Sequence, residues 1–264
     1  MDLLITGAAS GIGLATAEYF LSRGHRVFGI DRMPAGQREN FHTFQADITD
    51  EAALLPIREQ LRRQGIELDA IVNIAGIHAM VCLAESDPGI MKKTMDVNLW
   101  GPVLVDRVFH SCLKKRGRII IVTSEVAGFD PMPFNGLYSV TKTALDAYAQ
   151  ALRQELNLIG QKVVAVRPGA VATPLCAGSV EATKNLADTT VLYKKQAKNF
   201  SRIAAKFMGK PIKPEALAAL IYKATTAKRP KVIYKKHQNP GLVLLSLLPK
   251  SWQCAIIKWL LEFL

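Results

Sequence analysis

The chain has 264 residues, 49% of them hydrophobic and 21% charged, with a formal net charge of +12. That length and apolar share allow one large core and favour a single α/β domain over two. Cys82, Cys112, Cys176 and Cys254 form no C-x-x-C pair, so neither a disulfide framework nor a metal site is expected and a reducing compartment fits best.

No basic leader and no apolar run of signal-peptide length precedes the first strand-like residues, Leu3-Leu4-Ile5, so secretion is not expected. Leu3 to Thr6 reads as a short buried strand. It runs into Thr6-Gly7-Ala8-Ala9-Ser10-Gly11-Ile12-Gly13, and a helical pattern (Leu14, Ala17, Tyr19-Phe20-Leu21) follows. Glycines between a first strand and a first helix let the backbone pass close to a pyrophosphate, which rests on the free amides at the helix N-terminus. The next strand, Arg26 to Ile30, ends in Asp31. A carboxylate at that point accepts hydrogen bonds from both adenosine ribose hydroxyls and repels a 2′-phosphate, which favours NAD(H) over NADP(H). Arg32 is able to pair with such a phosphate, but Ser10 supplies no second cation; an Asp that only starts a turn before Pro34 is the plainer alternative.

Pro34 and Gly36 indicate a loop, and Phe41 to Ala46 a third strand leading to Asp47-Ile48. Asp50 is placed to cap a helix through about Gln64. Leu68 to Ile74 reads as a fourth strand ending in Asn73-Ile74-Ala75-Gly76, where small residues admit a cofactor. Residues 84 to 98 form a polar entry to a helix that carries Asn98 near its start and continues to about Leu113. The strand Ile119 to Thr123 then leads to Ser124, the helix from about Leu137 to Leu158 carries Tyr138 and Lys142, and the strand Val163 to Val166 ends in Arg167-Pro168-Gly169-Ala170-Val171-Ala172-Thr173-Pro174. Tyr and Lys four apart share one helix face. A nearby cation favours the phenolate over the phenol, whose ordinary pKa is about 10, and so yields a usable acid and base. A hydroxyl such as Ser124 then holds a carbonyl or alcohol oxygen at the same spot. Strands alternating with helices imply a parallel sheet covered on both faces, with ligands at the strands' C-terminal ends.

Over about residues 1 to 235 the sequence resembles the short-chain dehydrogenase/reductase family. The resemblance rests on Thr6-Gly-x-x-x-Gly-x-Gly13, Asp47, Asn73-x-Ala-Gly76, Asn98, Ser124, Tyr138-x-x-x-Lys142 and Pro168-Gly169, in that order. It implies a Rossmann-type doubly wound parallel sheet in residues 1–240 and a catalytic set of Tyr138 as acid/base, Ser124 as orienter of the substrate oxygen, Lys142 on the nicotinamide ribose and Asn98 placing a water. It further implies a nicotinamide cofactor held by the glycine turn and Asp31, with Asp47 and Ile48 flanking adenine. Asn73, Ala75 and Gly76 would line the adenosine side, and Pro168, Val171 and Thr173 the carboxamide side. Two departures stand out: Ile74 replaces the family's usual second Asn, and the spacing from Ser124 to Tyr138 is one residue longer than the commonest, which leaves Thr123 as a second candidate. The family's substrate lid corresponds to residues 175 to 212, where Leu186, Val191, Tyr193, Phe200, Ile203 and Phe207 lie among lysines. Residues 131–137 resemble the hydroxysteroid and retinol dehydrogenase branches.

The basic character sits at the end: residues 1–183 hold 18 Lys and Arg against 19 Asp and Glu, residues 184–264 hold 16 against 3. Such asymmetry suits an anionic membrane, an anionic substrate or nucleic acid, or simply a solvated lysine-rich surface. The tail 241–264 is apolar, but Pro249, Lys250, Lys258 and Glu262 interrupt the run of about 20 apolar residues that a spanning helix needs. Trp252, Trp259 and Phe263 beside Lys228, Arg229, Lys231, Lys235 and Lys236 suit an interfacial anchor; pocket closure or an oligomer interface explains the apolar part equally well. The expected protein is a cytoplasmic NAD(H)-dependent oxidoreductase, with a peripheral membrane position open, that interconverts lipophilic secondary alcohols and ketones. A hydroxysteroid-like substrate comes first. A 3-oxoacyl thioester reductase, a retinoid or other lipid-alcohol dehydrogenase and a non-catalytic nucleotide-binding scaffold are the rivals. No nucleic acid partner is expected, and the resemblance implies a homodimer or homotetramer through helices 98–113 and 137–158.

Overall fold

The computed structural model describes residues 1–207 and 210–263. Side-chain placements at 205–207, including Phe207 of the expected lid, and residues 208, 209 and 264 lie outside the described residues.

Seven parallel strands form the sheet in the order β3-β2-β1-β4-β5-β6-β7: β1 Asp2–Thr6, β2 Arg26–Asp31, β3 Phe41–Gln45, β4 Leu68–Asn73, β5 Leu113–Val122, β6 Lys162–Pro168 and β7 Ile233–Lys236. Each central strand is apolar on both faces because helices cover both. On one face Leu4, Phe28, Ile119 and Ile121 pack with Leu54, Leu61, Leu104, Val108 and Leu145, from α2 (Glu51–Arg63), α4 (Gly101–Phe109) and α5 (Gly136–Asn157). On the other, Leu3, Ile5, Ile120 and Val122 pack with Ala17, Phe20, Leu217 and Ile221, from α1 (Gly11–Leu21) and α8 (Pro214–Thr226). The doubly wound parallel sheet is as the sequence implies. Chain order reverses between β1 and β4, and the crevice beyond their C-terminal ends is where ligands of such sheets bind.

Two boundaries differ from expectation. The helix expected near Asn98 begins ten residues earlier: α3 spans Pro88–Met95, continues through a π-helical turn at Asp96–Trp100 and then into α4. Its start is fixed locally, because Asp87 Oδ1 accepts from the backbone N–H of Gly89 (2.7 Å) and Ile90 (3.2 Å) and Pro88 takes the first helical position. Helix also gives way to strand sooner, at Leu113, where pairing of Leu113 with Leu68 keeps the charged run Lys114-Lys115-Arg116 extended.

Beyond the sheet's C-terminal edge lie α6 (Pro174–Thr189), α7 (Lys194–Phe207), α9 (Pro240–Leu245) and α10 (Lys250–Phe263). A third apolar cluster joins α6, α7 and α10: Phe134, Leu186, Ala197, Phe200 and Leu261 are buried, with Tyr193 and Ile257 against them. The tail is therefore seated on the expected lid. Asn199 Nδ2 donates to the Leu261 carbonyl (3.0 Å). The segment after Ser124 holds the tail too: Glu125 Oε2 accepts from the Asn239 N–H (2.5 Å), Asp130 Oδ2 from Gln253 Nε2 (3.2 Å), and Asp130 Oδ1 lies 3.1 Å from Lys250 Nζ. No helix among the described residues is long and apolar enough to cross a membrane.

Candidate active site

A groove of about 230 Å³ runs over the β1–α1 turn. Gly7 (φ 71°) and Gly11 (φ 52°) adopt the left-handed region that side chains resist, and a Cβ on Gly13 would lie 1.9 Å from the Gly7 carbonyl oxygen. With Ser10, Ile12 and Gly13, these glycines form one wall of the groove. Asp31, Arg32, Asp47 and Ile48 line it as well. The Asp31 carboxylate is held by two backbone donors, Ala9 N–H on Oδ2 (3.0 Å) and Met33 N–H on Oδ1 (2.9 Å), while Arg32 is exposed. Asp47 Oδ1 is fixed in the same way by Thr49 N–H (2.9 Å) and Oγ1 (2.8 Å). The segment Ala75-Gly76 also lines the groove, with Ala75 against Gly7. Thr6 positions it, because its Oγ1 accepts from the N–H groups of Ile74 (3.0 Å) and Ala75 (3.2 Å).

Asn73 departs from expectation. Its side chain does not line the groove; it is 2% exposed, and its Nδ2 donates to Asp106 Oδ1 (2.7 Å) under the sheet. Asp106 also accepts from the Tyr148 hydroxyl (3.1 Å). Burial pushes the Asp106 carboxyl up to about 7 against the lowering effect of these two donors. A carboxyl raised on folding favours the folded state at low pH, and this contribution is lost as pH rises from about 4 to about 7, at roughly 1.4 kcal/mol per pH unit. Asp106→Asn should therefore flatten the fall of the melting temperature between pH 5 and pH 8; an unchanged slope in calorimetry would show that Asp106 is ionised in the folded protein throughout.

A second cavity, of about 280 Å³, continues the groove, since Ile12, Ile74, Gly76, Thr173 and Leu175 line both. Ser124 from the end of β5, Tyr138 and Lys142 from α5, and Pro168 and Val171 from the end of β6 meet there. Tyr138 opens α5 one turn from Lys142, whose Nζ lies 5.9 Å from the centre of the Tyr138 ring and donates to the Val122 carbonyl (3.3 Å). The Ser124 hydroxyl is hydrogen-bonded with Tyr138. Thr123 is the lesser candidate for the orienting hydroxyl, because its Oγ1 is directed to Asp146 Oδ1 (3.3 Å) and the Val166 carbonyl (3.4 Å).

The expected acidification of the phenol is not seen. Burial pushes Tyr138 up to about 12; the Ser124 hydrogen bond opposes this and the nearby Glu125 charge adds to it. Burial also brings the Lys142 ammonium down to about 8. Desolvation outweighs the attraction of a cation at that distance. Asn98 is fully buried in the π-helical turn: Oδ1 accepts from Ile77 N–H (2.8 Å), and Nδ2 donates to the Ile77 carbonyl (2.9 Å) and Thr141 Oγ1 (3.1 Å). Its side chain is thus committed to holding the segment after Gly76.

Sequence reasoning missed His78, Glu125 and His237 in this cavity. The His78 ring centre lies 4.5 Å from that of Tyr138, its Nε2 is 2.9 Å from Asn135 Oδ1, and burial holds its pKa below the usual histidine value. A lone histidine two residues beyond Gly76 was the available signal. For Asp106 it was a carboxylate directly after Val103-Leu104-Val105.

The family profile described as short chain dehydrogenase matches residues 2–184. Among curated relatives, the chain is 28% identical to the 3-ketodihydrosphingosine reductase of Bacteroides thetaiotaomicron over 95% of this chain and 92% of the relative. It is 31% identical to the NADPH-dependent 1-acyldihydroxyacetone phosphate reductase of Schizosaccharomyces pombe over 66% and 60%, and 32% identical to estradiol 17-beta-dehydrogenase 2 of Mus musculus over 65% and 48%. Among solved structures, a short chain dehydrogenase family protein from Francisella tularensis superposes with a TM-score of 0.74 at 22% identity, over 89% of this chain and 96% of that one. The ligand-free aldohexose dehydrogenase of Thermoplasma acidophilum gives 0.73 at 18% identity, over 89% and 91%. At such identities the structures speak for the fold.

Proposed function

The chain belongs to the short-chain dehydrogenase family, and we propose that it is an NAD(H)-dependent oxidoreductase that interconverts a lipophilic secondary alcohol and its ketone. The observation that carries this reading is the meeting of Ser124, Tyr138 and Lys142 in a cavity continuous with the glycine-walled groove. The groove fits a dinucleotide: glycines leave room for a pyrophosphate, and the Asp31 carboxylate stands where an adenosine ribose would lie. Asp47 and Ile48 would flank the adenine, and Val171 and Thr173 the carboxamide. A bound nicotinamide supplies hydride in reduction and accepts it in oxidation. Ser124 donates a hydrogen bond to the substrate oxygen, and Tyr138 passes its phenolic proton to the same oxygen as the carbonyl becomes an alcohol. A phenol pushed up to about 12 is protonated at neutral pH, so the form at rest is the proton donor that ketone reduction needs. Asn98 serves by fixing the segment after Gly76 through its amide, which is engaged with Ile77 and Thr141.

A hydroxysteroid-like ketone is the first substrate class. A long-chain keto-lipid is the second, favoured by the nearly full-length likeness to a relative named for 3-ketodihydrosphingosine. The cytoplasm is the compartment that goes with this reading, and a homodimer or homotetramer through α4 and α5 the assembly. Steady-state turnover of steroid and long-chain ketones with NADH and NADPH tests it. Removing the Asp31 charge should improve the use of NADPH relative to NADH by about 10²-fold, since a like charge opposite the 2′-phosphate costs several kcal/mol. Equal use of both cofactors by the unaltered enzyme would refute the NAD(H) assignment.

A further inference from the structure

α10 has two apolar faces, and the protein uses only one. Gln253, Ile257 and Leu261 turn inward, with Ile257 and Leu261 packed in the cluster built on Phe134 and Phe200. Positions 252, 256, 259 and 263 recur at helical spacing and define another stripe. Trp252 is 64%, Ile256 36%, Trp259 56% and Phe263 70% exposed. Just before it, α9 and its C-terminal turn leave Leu244 69% and Leu247 76% exposed. Six large apolar side chains in so short a segment exceed the scattered exposure of an ordinary surface. The helix packed against α10 carries the opposite chemistry outward: α7 buries Ala197 and Phe200 and exposes Lys194, Lys195, Lys198 and Arg202.

We infer that the outer stripe of α10, with Leu244 and Leu247 of the α9 segment, docks on the surface of an anionic lipid bilayer, with the α7 lysines against the headgroups. Three observations select a bilayer over a second copy of the chain. Tryptophans with lysines nearby match the interface between acyl chains and headgroups. The last third of the chain holds 16 Lys and Arg against 3 Asp and Glu, so a second copy would bring like charge to like, whereas an anionic leaflet attracts it. The segment also abuts the proposed substrate cavity, because Asn239, the N-cap of α9, and Pro240, its first residue, are part of the cavity wall. A lipophilic ketone dissolved in the bilayer would reach Ser124 and Tyr138 past α9, which deepens the reading of the site given above.

The test is flotation of the full chain with vesicles of phosphatidylcholine alone or with phosphatidylserine, without cofactor or substrate, so that failure of the redox assignment leaves the result intact. Binding to the anionic vesicles that weakens about tenfold for each of Trp252→Ser and Trp259→Ser is expected from the area each ring loses. Binding should also fall for Lys194→Glu/Lys195→Glu/Lys198→Glu and on raising the salt concentration. Thermal melting establishes that each variant is folded. No flotation of the unaltered chain, or equal flotation of the folded tryptophan variants, overturns the inference, as does a dimer that these variants dissociate while no vesicle binding occurs.

Discussion

Tyr138→Phe should reduce turnover by about 10³- to 10⁴-fold in both directions, the upper range for loss of a positioned acid and base. Its hydroxyl is hydrogen-bonded with Ser124 at the C-terminal end of β5, and its ring packs against His78 at 4.5 Å, so the phenylalanine ring fits the same space. Affinity for the dinucleotide, measured by fluorescence titration, should change little, because the glycine wall and Asp31 line the groove whereas Tyr138 lines the second cavity. A variant turning over within tenfold of the unaltered enzyme would mean that another group transfers the proton.

Lys142→Met should be almost as damaging, and for a different reason. Lys142 is 4% exposed, bonded to the Val122 carbonyl, and close to Gly76, where an added Cβ would lie 3.5 Å from Nζ. The ammonium therefore lies between Gly76 and the phenol. Loss of one preorganised charged donor costs about 10²- to 10³-fold in turnover. The pH profile separates this role from simple packing. Oxidation needs the phenolate, so its rate rises with pH. The ammonium is brought down to about 8 by burial, so it carries its charge only below that pH. Removing it disfavours the phenolate there, so the deficit of Lys142→Met in oxidation should be greatest below pH 8 and shrink above it. A deficit that is the same at every pH would assign the lysine to packing alone.

The sheet, its helices and the residues at its C-terminal edge were legible because local chemistry dictates them. Continuous apolar runs such as Ile119-Ile120-Ile121 suit a strand covered on both faces, and glycines with left-handed backbone mark the turn at Gly7 and Gly11. What escaped the sequence depends on distant partners. Asn73 turns toward Asp106 across 33 residues of chain, which no local pattern records. The early start of β5 rests on pairing with Leu68, not on its own charged residues. Spacing alone put Lys142 under Tyr138, but how far burial opposes the ammonium is set by the whole pocket. The tail looked like one greasy segment. Its division into an inward face at Gln253, Ile257 and Leu261 and an outward one at Trp252 and Trp259 required knowing where α7 lies.

The grip of the last helices on the stretch from Glu125 to Asp130 bears on how the enzyme is made. A chain leaves the ribosome from its amino end, so the dinucleotide groove can form while residues 239 to 253 are still in the exit tunnel. The loop beside Ser124 acquires these fastenings only after residues 239 to 253 have emerged. Arrested nascent chains that end at residue 238 and are carried clear of the tunnel by a flexible linker should already be retained on an immobilised dinucleotide yet turn over ketone poorly; full activity in such chains would show that the loop sets itself without the tail.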